Sequence, residues 1–401
     1  MTIEATASAA ENELPTGGVL TVRLDHRTAN GSTLRRLSLE SSPVPWPWRR
    51  RAVSYEFPGR VLPEPETLDA AVFGSMMIAA RAGATLRVEG PVTTQALRSA
   101  RAFMEAWACM RPNRFQVVDV EPDTVVTDSP PPADEAVGAF SGGLDSTFLA
   151  LRHRLKLLGP ASYPITAVAM FQGYDVHWRD QAGFDGLRRR TAPLLESLGL
   201  ETFVIRTDGM EPPFNKVQHY SATQGAQLGG LLHQLSHRFG YGMLGSTYAY
   251  DHPINAWPSS PTTDGLLVGG RMRLIHEGAG FCRSGKAALV AQHPLALKSV
   301  KVCHAGERKD RNCGVCDKCV RTQLNFLAAG VKDPPCFDRP FAATPERIDE
   351  VLDHLGWGGL LNLGDYTRRH GRTGDWVDAI HAAIKRRRGV PPKGHHSAPD
   401  L

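Results

Sequence analysis

The sequence predicts an α/β protein: a doubly wound parallel sheet, with a smaller N-terminal α/β or α+β domain ahead of it and a helical region behind. Three observations carry the prediction. Beyond residue 136 strand-like runs alternate with helix-like ones, and strands joined through helices of that length lie parallel. Three consecutive prolines among acidic residues, in TDSPPPADEA at 127–136, fit neither a helix nor a central strand and mark a linker. From residue 336 onward the pattern is helical and ends in a basic tail.

Residues 1–17 are acidic and rich in small residues, without the basic flank or apolar core of an export signal, and read as a disordered leader. Between 18 and 126, GVLTVRL, AVSYEF, ATLRVEG and RFQVVDV look like strands. ETLDAAVFGSMMIAARAG and TTQALRSARAFMEAWACM look like helices. This N-terminal domain carries no chemical constellation, so its expected role is packing or presentation to a partner. The sheet domain, 137–335, follows: AVGAF leads into LDSTFLALRHRLKLL, and PITAVAMF into QAGFDGLRRRTAPLLESLG. ETFVIRT, a helix around ATQGAQLGGLLHQLSHRF and YGMLGST continue it. Ligands of such sheets sit at the carboxyl ends of the strands. TPERIDEVLDHLG and WVDAIHAAIKRRR supply helices of the 336–401 extension.

At 401 residues, with 42% hydrophobic and 22% charged, the chain has the balance of a soluble globular protein of two or three domains. No window approaches the ~18 apolar residues of a membrane span. Seven cysteines without an export signal suit a reducing, cytoplasmic compartment and argue against disulfides. The net charge of +5 is modest. Basic runs at Arg49–Arg51, Arg188–Arg190 and IKRRRGVPPKGHH read as solvated faces and tails, or as contacts to a polyanion.

Three glycine-rich stretches compete as phosphate sites. The first, AVGAFSGGLDSTFLALRH, ends a strand with Ser141-Gly142-Gly143 and enters a helix at Leu144-Asp145-Ser146-Thr147. Such a turn aims several backbone N–H groups and the positive end of a helix dipole at one spot, and Ser141, Ser146 and Thr147 add hydroxyl donors. Asp145 would need a Mg²⁺ or a donor between it and a phosphate; the same residues could instead only cap the helix. The second, GAGFCRSGKAAL, has G-x-x-x-x-G-K spacing at Gly280, Gly285 and Lys286. Ala287 stands where a magnesium-holding hydroxyl belongs, and the preceding run is a poor buried strand. The third, Gly240, Gly242 and Gly245, lies before and inside a strand and reads as a turn into it.

In its strand–turn–helix setting, FSGGLDST resembles the S-G-G-x-D-S pyrophosphate loop of the N-type ATP pyrophosphatases, the PP-loop family. That family includes synthetases for NAD, GMP and asparagine, tRNA thiolases and 7-cyano-7-deazaguanine synthases. The resemblance implies cleavage of ATP between its α- and β-phosphates. Ser141, Gly142, Gly143, Leu144, Asp145, Ser146 and Thr147 would meet the nucleotide, with Asp145 and Ser146 as catalytic residues and Lys286 near the phosphates.

KVCHAGERKDRNCGVCDKCVRT sets Cys303, Cys313, Cys316 and Cys319 at C-x9-C-x2-C-x2-C. The tight half can wrap three sulfurs around one ion and Cys303 can close a tetrahedron, the pattern of a structural zinc site. An iron–sulfur cluster, for which Gln323 stands where a further cysteine belongs, and unmetallated thiols are the alternatives. Arg308, Lys309, Arg311, Lys318 and Arg321 would offset the thiolate charge, while Cys109, Cys282 and Cys336 read as packed. Loop first, then four cysteines closely followed by Arg321, is an order similar to that of 7-cyano-7-deazaguanine synthases, over roughly 136–330. The similarity implies adenylylation of a carboxylate and its conversion by ammonia to an amide and a nitrile. In place of that family's Asp-Cys-Arg element stands GSTYAYDHPINAWPSSPTTDGLL. Its polar groups are Asp251, His252, Ser259, Ser260 and Asp264, and Tyr248, Tyr250 and Trp257 could stack on a substrate or pack.

The expected function is therefore an ATP- and Mg²⁺-dependent, AMP-forming enzyme with Zn²⁺ at its cysteines. It would adenylylate a carboxylate or amide oxygen and couple it to ammonia or an amine. The rivals are sulfur transfer to a nucleobase and a non-catalytic ATP sensor or scaffold. Expected partners are ATP, a carboxylate, amide or nucleobase-like substrate, an amine donor, a macromolecule at the N-terminal domain and a second copy of the chain, with no membrane.

Overall fold

The computed structural model describes residues 17–42, 52–127, 133–212, 214, 220–251, 257–306 and 308–387. Residues 1–16, the run at Arg49–Arg51, the linker prolines, His252 and the tail beyond Arg387 lie outside them.

The first five strands are β1 (Val19–Ala29), β2 (Ser32–Ser42), β3 (Ala52–Phe57), β4 (Thr85–Thr93) and β5 (Val120–Val126), with helices α1 (Asp69–Ala82) and α2 (Thr94–Met110). Asn30 and Gly31 join β1 to β2 with φ of 50° and 71°. Both values are left-handed, as a two-residue turn matched to strand twist requires. β2 does not show in the sequence pattern, because Thr33 and Arg35 occupy inward positions and hide the apolar alternation. RFQVVDV also shifts: the strand is Val120–Val126, where an edge position tolerates Pro122.

The second five strands are β6 (Ala136–Ala139), β7 (Ile165–Gln172), β8 (Glu201–Thr207), β9 (Tyr241–Gly245) and β10 (Arg273–Glu277). They alternate with α3 (Leu144–Arg154), α4 (Gln181–Ser197) and α5 (Tyr220–His233). Then come α6 (Arg283–Ala291), α7 (Pro294–Ser299), α8 (Asp317–Ala328), α9 (Pro345–Asp353), α10 (Trp357–Arg369) and α11 (Asp375–Arg387). β10 is the run that looked poorly strand-like; it is an edge strand and needs no buried flank on its outer side.

All ten strands form one mixed, mostly parallel sheet in the order β10-β9-β6-β7-β8-β3-β2-β1-β4-β5. Its second half is parallel throughout and winds both ways from β6: the chain steps to β7 and β8, then returns to β9 and β10 on the other side. Along β7, Ala167 and Ala169 face a core shared with α1, α2 and α5, whereas Val168 and Met170 face one shared with α3, α4 and α6 to α8. A third cluster joins α8 to α9, α10 and α11.

The linker interrupts the chain but not the sheet. β3 pairs antiparallel with β8 through Tyr55↔Thr207 and Glu56↔Arg206. One core then runs from Val53, Phe57 and Phe73 to Phe203 and Ile205. Burying each such side chain contributes about 2 kcal/mol, so the two halves are costly to part. Among the described residues no helix is long and apolar enough to cross a membrane.

Candidate functional site

β6 hands the chain to α3 through Ser141-Gly142-Gly143, at the carboxyl end of the strand where the winding reverses. Gly142 has φ of +74°, and a Cβ there would lie 3.1 Å from Thr191 Cγ2 and 3.2 Å from Leu187 Cδ1. The backbone is thus pressed onto α4 in a conformation that favours glycine. Its carbonyl accepts from the Lys301 amide at 2.8 Å. Gly143 caps α3 without a side chain. The amides of 144–146 precede the bond from Thr147 N to Gly143 O (3.0 Å), so they belong to the helix's unpaired first turn.

Ser141 is exposed and its Oγ accepts from the Gly143 amide at 3.3 Å. Ser146 is buried, donates to Gly143 O at 3.1 Å and stands 3.5 Å from Ser141 Oγ. Among the described residues the buried Thr147 hydroxyl has no partner. Leu144 packs its side chain into the core beneath α3, leaving only its amide to the site.

The first two glycine-rich stretches converge. β10 turns into α6, and Lys286, whose side chain is fully buried, donates to Ser246 O and approaches Asp145 Oδ1 at 3.4 Å. Arg283 donates to Asp145 Oδ2 at 2.6 Å. Burial alone would push the Asp145 carboxyl up, but the two cations outweigh it and hold it below the ordinary carboxylate range. Burial lowers the Lys286 ammonium against the pull of Asp145. The third stretch packs: a Cβ at Gly245 would lie 2.9 Å from Asp145 O, and one at Gly242 would lie 2.6 Å from Leu274 Cδ2.

Cys303, Cys313, Cys316 and Cys319 bring their sulfurs within 4.8 Å of one another and could hold a metal ion. Cys303 and Cys316 are 3.8 Å apart, and Cys313 and Cys319 are 3.9 Å apart. A tetrahedron with Zn–S arms of ~2.3 Å has edges of about 3.8 Å, so the donors fit zinc. Amides of Gly306 and Cys316 point at Cys303 Sγ (3.3 Å) and Cys313 Sγ (3.4 Å). Of the basic residues expected to offset thiolate charge, Arg308, Arg311 and Lys318 pair with Asp310, Asp338 and Asp175 instead. Lys309 donates to the carbonyls of His304 and Gly306.

Sequence reasoning missed the residues that brace this loop. Buried Asn312 accepts from the amides of Val302 (2.8 Å) and Cys303 (3.1 Å) and donates to Val300 O (2.9 Å) and Cys336 O (2.8 Å). Arg190, expected on a solvated face, donates to the carbonyls of Lys298, Ser299, Val300, Asp310 and Cys336. The helical period held the signal, since 190 lies three residues after buried Leu187 and four before buried Leu194. Cysteine loop and phosphate-type loop are thereby neighbours, linked through Lys301.

In the 246–264 region, Asp264 is buried, accepting from Ser259 Oγ (2.6 Å) and contacting His276 Nδ1 (2.8 Å). Asp251 accepts from Asn362 at the surface (3.1 Å). Tyr248 packs edge-on against Trp257 with ring centres 4.9 Å apart, and Tyr250 is exposed. No family model, no curated protein and no solved structure matches the chain.

Proposed function

We propose that the protein is an ATP-dependent, AMP-forming enzyme that activates a carboxylate or amide oxygen for attack by ammonia or an amine. One observation carries the reading: at the point where the sheet's winding reverses, a helix N-terminus meets two cations, Arg283 and Lys286, held by the carboxylate of Asp145. That is the ligand crevice of a doubly wound sheet, with a positive balance suited to polyphosphate. The β- and γ-phosphates would lie against the amides of 144–146, with Ser141 and Ser146 adding hydroxyl donors. A substrate oxygen attacks the α-phosphorus, and the bond to the bridging oxygen breaks with its electron pair leaving on pyrophosphate. The first-turn amides and Lys286 meet the charge that builds there. The amine then displaces AMP. Mg²⁺ would supply further charge neutralisation, with Asp145 the carboxylate at hand to hold it. Zinc at the four cysteines would be a closed cross-link with no position open for chemistry.

A sulfur-transfer reading has one observation in its favour: Cys282, half-buried, lines the pocket beside Arg283 and Arg321, outside the thiol cluster. The two readings separate in one assay. The protein is incubated with ATP, Mg²⁺, ammonium and a small-metabolite extract, and the products are identified by mass spectrometry, with Gly142→Ala and Cys282→Ser in parallel. AMP and pyrophosphate from the wild type and from Cys282→Ser, but not from Gly142→Ala, are the expected result. ADP and phosphate, or full activity in Gly142→Ala, would overturn the proposal. A thiolated product lost in Cys282→Ser would transfer the site to sulfur chemistry.

A further inference from the structure

This chain buries arginines by giving them acceptors. Arg35 donates to Gln234 O, Gln234 Oε1 and Pro63 O at 2.7–2.8 Å, and Arg190 reaches five carbonyls. Arg321 breaks that pattern. Among the described residues its guanidinium has neither an ion pair nor a hydrogen bond, and its Nε is buried. It lines a pocket together with Arg283, Tyr248 and Asn325, and α10 closes the far side with Asn362. Arg283 spends one nitrogen on Asp145, while its own Nε is likewise buried and unpartnered.

Arg321 and Arg283 face one cleft, and the carboxylates nearest Arg321, Asp145 and Asp317, are already paired with Arg283 and Lys286 and with Arg347, so positive charge is left unmatched. A largely buried guanidinium without an ion pair of its own is costly, and its fork matches the two oxygens of a carboxylate or phosphate. We propose that Arg321, with Arg283 beside it, forms an oxyanion pocket that seats the carboxylate or phosphate group of the second substrate next to the activated phosphate. The pocket stands on its own geometry, and its assignment to a second substrate rests on the ATP-dependent reading. The helical extension then has a role, because α10 supplies the outer wall and so the size limit for what enters.

The test follows arginine side-chain Nε–H signals by NMR in the ¹⁵N-labelled full chain, with Arg321→Lys identifying the Arg321 signal. The probes are sodium acetate, inorganic phosphate and the neutral isostere acetamide, each with and without ATP and Mg²⁺. A saturable shift of the Arg321 signal with acetate or phosphate, absent with acetamide and persisting when ATP is bound, is expected; which anion acts distinguishes a carboxylate from a phosphate. No saturable shift with either anion, or an equal shift with acetamide, overturns the proposal. So does a phosphate shift that ATP abolishes while acetate has none, because Arg321 would then belong to the nucleotide. If ATP moves no signal while acetate does, the ATP reading falls and the pocket stands. Arg321→Gln gives a second readout: its melting temperature should match or exceed that of the wild type while anion-induced stabilisation is lost. A purely structural arginine would give a lower melting temperature.

Discussion

Replacing Arg190 with methionine is expected to lower the melting temperature sharply and to loosen metal from the four thiols. The guanidinium holds the carbonyls of Lys298, Ser299 and Val300 at 3.1–3.2 Å, Asp310 at 3.0 Å and Cys336 at 2.7 Å. These lie on three separate segments, none adjacent in sequence to α4. Methionine keeps the apolar stem but strips every donor, and water can replace the donor only where the carbonyls reach solvent. Val300 O and Cys336 O keep Asn312 as a donor and Lys298 O reaches solvent, so the loss falls on Ser299 O and Asp310 O. At about 1–3 kcal/mol for each carbonyl left unsatisfied, it comes to about 3 kcal/mol. Val300 precedes Lys301, whose amide holds Gly142, so the strain reaches the phosphate-type loop as well. Urea denaturation and zinc release to a chromogenic chelator would measure both consequences. Arg190→Lys keeps the charge without the planar fork and should fall between. A denaturation midpoint unchanged from wild type would sink the argument.

Asp145→Asn should have the largest effect on the site. It keeps the shape but leaves Arg283 and Lys286 facing each other without a counter-charge. Breaking a largely buried pair from one side costs about 3 kcal/mol. The pH dependence has a definite sign. The carboxyl titrates lower in the folded state than its ordinary value of 3.8. Its contribution is therefore in place above that value and is lost as pH falls toward the folded-state value. The stability gap between wild type and Asp145→Asn should be full at neutral pH and narrow steadily below about pH 4. A gap that stays constant across that range would show that the charge is not the cause. For function the variant should bind ATP more tightly in the absence of Mg²⁺, since a repelling carboxylate is gone, yet form AMP about 100-fold more slowly.

Local pattern and long-range contact account for what could and could not be read from the chain. Apart from the edge strand β10, the strands of the second half follow their own periodicity, and the loop at 141–147 and the four cysteines sit in short, contiguous motifs. Those were legible. β2 was hidden by Arg35 on its inward face, although Asn30-Gly31 is itself a strong hairpin signal. Arg190 looked solvated because its neighbours Arg188 and Arg189 are exposed. The contact of Arg283 with Asp145 spans 138 residues, and that of Arg190 with Cys336 spans 146. Nothing local encodes such pairs; the fold brings them together. The pairing of β3 with β8 is of the same kind, and no composition shift at the linker could have announced that the sheet continues through it.

That pairing sets an order of events during synthesis. Between the last residue of β3, Phe57, and the last of β8, Thr207, the ribosome adds roughly 150 residues, or about 10–30 s of translation. For that interval β3 waits with its outer edge unpaired while β4 and β5 are still being added, and an open edge invites foreign strands. The edge carries a guard. Glu56 lies on β3 opposite Arg206, whose Nη1 reaches its carboxylate at 3.2 Å once β8 arrives. Until then Glu56 presents an uncompensated charge that discourages any apolar newcomer. The ion pair thus acts first as a deterrent on the nascent chain and afterwards as the latch of the finished sheet.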